Sequence, residues 1–159
     1  MKLIKLGVIS VAILFTIVTL IGLLFPSKII VSRTTEIAQH NDSIFAFTKD
    51  LFGWQKWVKG LQNQPINAAN KTALGNSTII IISSTPQLIV GKWIEKNNDE
   101  QLITLSIIPA QNSTIVNWQF EEKIKWYPWA RLSSMINESV IGTMMEENLA
   151  RLKQIAEKK

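Results

Sequence analysis

Residues able to do acid–base or metal chemistry are sparse in this chain of 159 residues. His40 is its single histidine and it has no cysteine, which excludes disulfides, thiolate nucleophiles and thiolate metal sites. His40 stands in the polar run QHNDS, with no second metal ligand at a recognisable spacing. It reads as a solvent-exposed turn residue beside a helix cap. General acid–base catalysis needs a carboxylate or imidazole whose pKa has been shifted by burial. The strand carboxylates are Glu36, Glu95 and Glu121, and two of them fall at strand ends or on outward positions. No serine-nucleophile motif, phosphate-binding loop or dinucleotide fingerprint occurs. The residues alone assign no catalytic group, no metal and no cofactor.

Aromatic side chains carry the stronger signal, with six tryptophans in the chain. In LFGWQKWVKG, Trp54 and Trp57 lie three apart and so share a helical face. Two indoles are costly to leave in water, and a core, a partner or a ligand could each cover them. Further on, KWYPWARL sets Trp126, Tyr127 and Trp129 beside Lys123, Lys125 and Arg131. Aromatics among cations suit a lipid headgroup layer; a packed loop capping the next helix is the alternative.

These residues need elements to position them. LGVISVAILFTIVTLIGLLF, from Leu6 to Phe25, has 20 residues without a charge. As a helix it spans about 30 Å, the thickness of a bilayer's hydrocarbon core. Ser10, Thr16 and Thr19 can bond back to their own helix, and Pro26 ends it. A cleaved signal peptide is the competing reading, since Lys2 and Lys5 make a suitable leading region. The apolar run is longer than a signal's, however, and no small-residue cleavage pair follows it. Residues 1–26 therefore predict a transmembrane anchor, with 27–159 as the domain it carries. Lys2 and Lys5 lie closer to the apolar run than Lys28 and Arg33 and have no acidic neighbour. That favours a cytoplasmic N-terminus and a domain outside the cytoplasm. The net charge of +5 is dispersed among carboxylates, unlike the basic face a nucleic acid requires.

SKIIVSRTTEI predicts a strand, with Asn41 or Asp42 as the cap of the helical stretch that follows. Ile44, Phe47 and Leu51 form one stripe there, and Gly53 interrupts it. Residues 58–77 read as a long loop or a weak short strand. TIIIISS, QLIVGKWIE and QLITLSIIP then predict strands, joined by turns. In TIVNWQFEEKI, Val116, Trp118 and Phe120 alternate with polar residues, as on a half-buried strand. From about Ala130 to Glu157, apolar residues recur at threes and fours, which predicts a long amphipathic helix. Gly142 inside it marks a close approach to the sheet or a kink. The order is strand, short helices, antiparallel meander, long helix. Only that last helix is large enough to cover one sheet face.

This order resembles the SRPBCC superfamily, the START-like helix-grip proteins, and within it the membrane-anchored members labelled polyketide cyclase or dehydrase. After the anchor, Pro26, Ser27, Lys28, Val31, Arg33 and Ile37 fall in step with that group's pattern. So do Asp50, Leu51, Trp54 and Trp57 in IFAFTKDLFGWQKW, and Thr114, Val116, Trp118 and Phe120 in STIVNWQF. IGTMMEENLARLKQIAE completes the match through Gly142, Glu146, Leu149, Leu152, Lys153, Ala156 and Glu157. The chain departs at IAQHND, which replaces an Ala-Pro turn, at WVKG, which lacks a third tryptophan, and at 58–77, which is short for two strands.

The resemblance implies an α+β helix-grip fold: a curved antiparallel sheet of about five to seven strands gripping the C-terminal helix. Between them it implies a cavity for an apolar small molecule or lipid, bound without catalysis. Trp54, Trp57, Trp93, Trp118, Phe120 and Met144 are the candidate lining residues, and ordinary core packing is the competing role for each. A cyclase/dehydratase-type enzyme using a cavity carboxylate and a ligand-free structural or assembly partner are the alternative functions. The expected partners are the membrane and an apolar molecule, without nucleic acid or metal.

Overall fold

The computed structural model describes residues 2–24, 27–66, 68–96, 99–125 and 127–158. Pro26 and Trp126 lie outside the described residues, as do the side chains of Trp129, Arg131 and Met135. Helix α1 (Lys2–Leu24) is apolar along its length. Its window Ile4–Ile21 has a mean hydropathy of 2.5 and is unburied, so it is long and apolar enough to cross a bilayer. The Thr16 and Thr19 hydroxyls donate to the carbonyls of Ala12 and Phe15, at 2.8 and 2.7 Å. Both polar groups are thereby satisfied within the helix.

Strand β1 (Lys28–Ile37) follows, then α2 (Asn41–Thr48) and α3 (Leu51–Trp54). The meander is β2 (Lys71–Leu74), β3 (Ser77–Ser84), β4 (Leu88–Ile94), β5 (Glu100–Pro109) and β6 (Thr114–Lys123). Helix α4 (Pro128–Glu157) closes the chain. The six strands form one antiparallel sheet in the order β1-β6-β5-β4-β3-β2. After β1 the chain crosses by way of α2 and α3 to the far edge, then returns strand by strand until β6 pairs with β1.

The inner face follows from the period of two. Val31 and Ile37 on β1, Ile79 and Ile81 on β3, Ile103, Leu105 and Ile107 on β5, and Val116, Trp118 and Phe120 on β6 are all buried. Each fully buried aliphatic contributes about 1.5–3 kcal/mol relative to exposure. Met145, Leu149, Leu152 and Ala156 bring the buried stripe of α4 onto this face. The other face is wet: Ile30, Ile82 and Ile108 are about half exposed. A bulge between Ile81 and Ser83 leaves Ile82 without a partner on β4, and such an insertion bends and twists the sheet locally.

One local reading is corrected, and one left open is decided for a short strand. His40, exposed and in extended conformation, occupies the cap position of α2, one residue before Asn41, and makes no side-chain cap bond. The sheet decides this. β1 stays paired as far as Ile37 opposite Thr114, and the Thr114 hydroxyl donates to the Gln39 carbonyl at 2.7 Å, so the chain turns at His40. In the 58–77 stretch, β2 pairs with β3 around Gly75-Asn76, with Gly75 at a φ of 59° that suits glycine.

Gly142 does mark a close approach. A Cβ there would collide with the Arg33 guanidinium, whose Nε donates to Glu146 Oε1 at 2.5 Å. A second clasp holds the other end of the helix, where the Ala38 N–H donates to Glu157 Oε1 at 2.9 Å. Helix α4 is thus fixed along β1, across the inner face of the sheet.

Candidate functional site

The interior between sheet and helix has a filled end and a hollow end. At the filled end, Asp50 caps α3 by accepting the Gly53 N–H at 2.8 Å. The backbone continues in turns, with the Trp57 and Val58 N–H groups donating to the Trp54 carbonyl at 3.1 and 2.8 Å. That winding carries Trp54 and Trp57 inward. Their rings meet Trp118 of β6, with centroids 5.6 Å apart for Trp54–Trp57, 6.2 Å for Trp54–Trp118 and 5.4 Å for Trp57–Trp118. The Trp54 indole N–H donates to the Thr48 carbonyl at 2.7 Å, and that of Trp57 to the Phe47 carbonyl at 3.0 Å. Both indoles therefore staple α2 to the core. Gly53 makes room for this, because a Cβ would strike the same Phe47 carbonyl.

At the hollow end lies a half-open cavity of about 280 Å³. Trp93 and Phe120 form the sheet side of its apolar wall, their rings edge to face at 6.5 Å. Val140, Ile141 and Met144 form the helix side. Ser77, Glu95, Gln101 and Glu122 complete the lining. Register explains the company these residues keep. Trp93 of β4 stands opposite Gln101 of β5, and Gln101 opposite Glu122 of β6. One row across three strands thus runs from indole to amide to carboxylate, and Glu95 follows Trp93 on the same face.

Of the predicted residues, Trp93, Phe120 and Met144 line the cavity. Trp54, Trp57 and Trp118 line no part of it and form the ring cluster at the other end. Sequence reasoning missed Glu122 and Gln101. Glu122 has its carboxyl pushed above the ordinary range, first by burial and then by the negative charges of Glu95 and Asp99; a Gln101 hydrogen bond works in the opposite direction. The Gln101 amide also donates to Glu95 Oε1 at 3.1 Å. Gln101 is 3% exposed, and its Oε1 is buried without a hydrogen-bond partner. Among the described residues there is no cluster of three or more metal-ligating acidic, histidine or cysteine side chains.

A larger depression of about 430 Å³ borders the same strands, but its lining is mostly charged. Lys92 and Glu100 within it are paired at 2.7 Å. Its size therefore counts for less than the smaller cavity's apolar wall, the usual feature of a small-molecule site.

No protein-family model matches the sequence, and no curated protein is significantly similar to it. Solved structures do match. A START superfamily protein from Mycobacterium smegmatis aligns with a TM-score of 0.64 at 16% identity, over 80% of this chain and 97% of that one. The di-domain ARO/CYC protein StfQ of the steffimycin biosynthetic pathway aligns with a TM-score of 0.63 at 12% identity, over 82% and 51%. DynU16, from the dynemicin biosynthetic locus, aligns with a TM-score of 0.59 at 10% identity, over 81% and 47%. The chain thus spans about half the length of the last two. At these identities the fold is what is shared, and it is the START-like helix-grip fold.

Proposed function

We propose that residues 27–159 form a domain that binds a small apolar molecule, without catalysis, and that residues 1–26 anchor it to a membrane. The cavity of about 280 Å³ carries this reading, because Trp93, Phe120 and Met144 wall it with apolar surface while Trp54, Trp57 and Trp118 at the other end are buried in the core. Binding draws on the desolvation of that surface, at about 25 cal/mol per Å². The volume lies just under the usual range for drug-sized ligands, which points to a compact ligand or to one chain of a lipid. Native mass spectrometry of the full chain, released from its own membranes, tests the reading. An apolar molecule should co-purify and be lost on Phe120→Ala or on blocking the cavity with Met144→Trp. A protein that carries nothing and takes up no apolar probe would overturn it.

A second reading has its own observation. Glu122 lies in the cavity with its carboxyl pKa raised, chiefly by burial, a property of groups that exchange protons in catalysis. It would serve as the general acid or base of a cyclase/dehydratase-type reaction. Turnover of a polyketide-like substrate that disappears in Glu122→Gln, with binding retained, would favour the enzyme.

We also place the N-terminus in the cytoplasm and the domain outside it. The cysteine-free sequence makes this simple to test. A single cysteine at exposed Ser43 should react with a membrane-impermeant maleimide on intact cells. Labelling only after lysis would reverse the orientation.

A further inference from the structure

The polar end of the cavity is chemically one-sided. Glu95 and Glu122 bring carboxylates to it, on adjacent sides of Gln101. The Gln101 amide N–H₂ is turned to these acids, which leaves Oε1 as a buried acceptor without a donor. Unsatisfied buried acceptors of this kind are rare and costly. The charges that act on Glu122 are those of Glu95 and Asp99, and Asp99 is paired with Lys125 at 2.8 Å. From α4, the described residues facing the cavity are Val140, Ile141 and Met144, and none is charged. The site therefore offers acceptors and negative charge at one end and aromatic and aliphatic surface at the other. A ligand that matches must carry donors and positive charge on an apolar body. Trp93 and Phe120 add ring faces to which a cation is attracted.

We propose that the cavity selects a small apolar amine, with its protonated nitrogen against the Glu95 and Glu122 carboxylates and its body against Trp93, Phe120 and Met144. This rests on the binding function proposed above and names its ligand class. The ammonium N–H groups donate to these two carboxylates. Its charge also relieves the repulsion between the two carboxylates, so Glu122 titrates lower in the complex than in the free protein.

The test compares phenethylamine with phenethyl alcohol, which has the same apolar body and no charge. Both are titrated calorimetrically against the full chain in nanodiscs of zwitterionic phospholipid. Empty nanodiscs of the same lipid correct for partition, and the double variant Glu95→Gln/Glu122→Gln is titrated alongside the wild type. The wild type should bind the amine about tenfold or more tighter than the alcohol, as expected for charge-assisted hydrogen bonds. The double variant should lose that preference. Equal affinities in the wild type, or a preference that survives in the double variant, would overturn the amine assignment and leave the apolar cavity standing. If neither probe binds, the cavity reading fails with it.

Discussion

At one end of the sheet–helix interior, Trp54, Trp57 and Trp118 pack ring against ring. At the other, Trp93 and Phe120 meet edge to face and border about 280 Å³ of open space. Both ends are built on the same strands and covered by the same helix. They differ in what α2 and α3 supply. At the filled end these short helices insert two indoles whose N–H groups are already bonded to Thr48 and Phe47 carbonyls. Among the described residues the hollow end receives no such plug from α2 or α3, and Glu95, Gln101 and Glu122 stand at its strand ends instead of aliphatics. An aromatic in a helix-grip interior is thus core or cavity wall according to what the crossover helices place over it.

The sharpest way to break this contrast is to empty the filled end. Trp57→Ala should destabilise the protein by about 3–5 kcal/mol, the usual cost of removing a large buried aromatic. Trp93→Ala should cost well below that, because one side of its ring already borders open space. Urea midpoints of the full chain in detergent, compared at constant m-value, would show the difference, and equal losses would abolish the distinction. Next in size is Asn148, fully buried on α4, whose Oδ1 accepts the Lys59 N–H at 2.8 Å. Asn148→Ala leaves that N–H unsatisfied and should cost about 1–3 kcal/mol, measured the same way.

A smaller effect separates the ends by pH. Glu122 has its folded pKa raised above the ordinary value of 4.5, so the folded state binds its proton more tightly than the unfolded state. Its contribution to stability is fullest below the unfolded pKa and is lost as pH rises through the folded pKa. Glu122→Gln should remove that downward step from an unfolding-versus-pH profile and leave the variant the more stable protein at neutral pH. A profile unchanged by the substitution would place the carboxylate in water. The smallest expected effect is at Gly142. Alanine gains about 1 kcal/mol of helix propensity, while displacing the flexible end of Arg33 and loosening an exposed pair with Glu146 costs about as much. Gly142→Ala should therefore shift stability by less than about 1 kcal/mol. A larger loss would make the Arg33 clasp a main support of α4.

Much of this was legible in local periodicity. Val116, Trp118 and Phe120 alternate without a break, and the residues of α4 repeat at helical spacing, so the inner faces of both elements could be read directly. Three of the four polar cavity residues were legible by the same rule carried two residues further. Glu122 continues from Phe120, Glu95 from Trp93, and Gln101 precedes Ile103. Attention to Glu121, which pairs outward with Lys28 at 2.7 Å, hid its neighbour. Strand β2 was harder, because four residues give no periodicity and its partner is identified by pairing alone. Which tryptophans fill the core and which border a cavity depends on the packing of α2, α3 and α4 on the sheet. Those contacts join residues far apart in sequence, and no local pattern contains them.

The interior is hollow at the Trp93 end and filled at the Trp57 end. Met144→Trp tests it most directly, by measuring unfolding and phenethyl alcohol affinity on one sample. A hollow site accepts the larger side chain, so stability should hold or rise while affinity falls by about tenfold or more. Overpacking of a solid interior would instead cost about 1–3 kcal/mol. That loss, with affinity unchanged, would mean that the Trp93 end is solid as well.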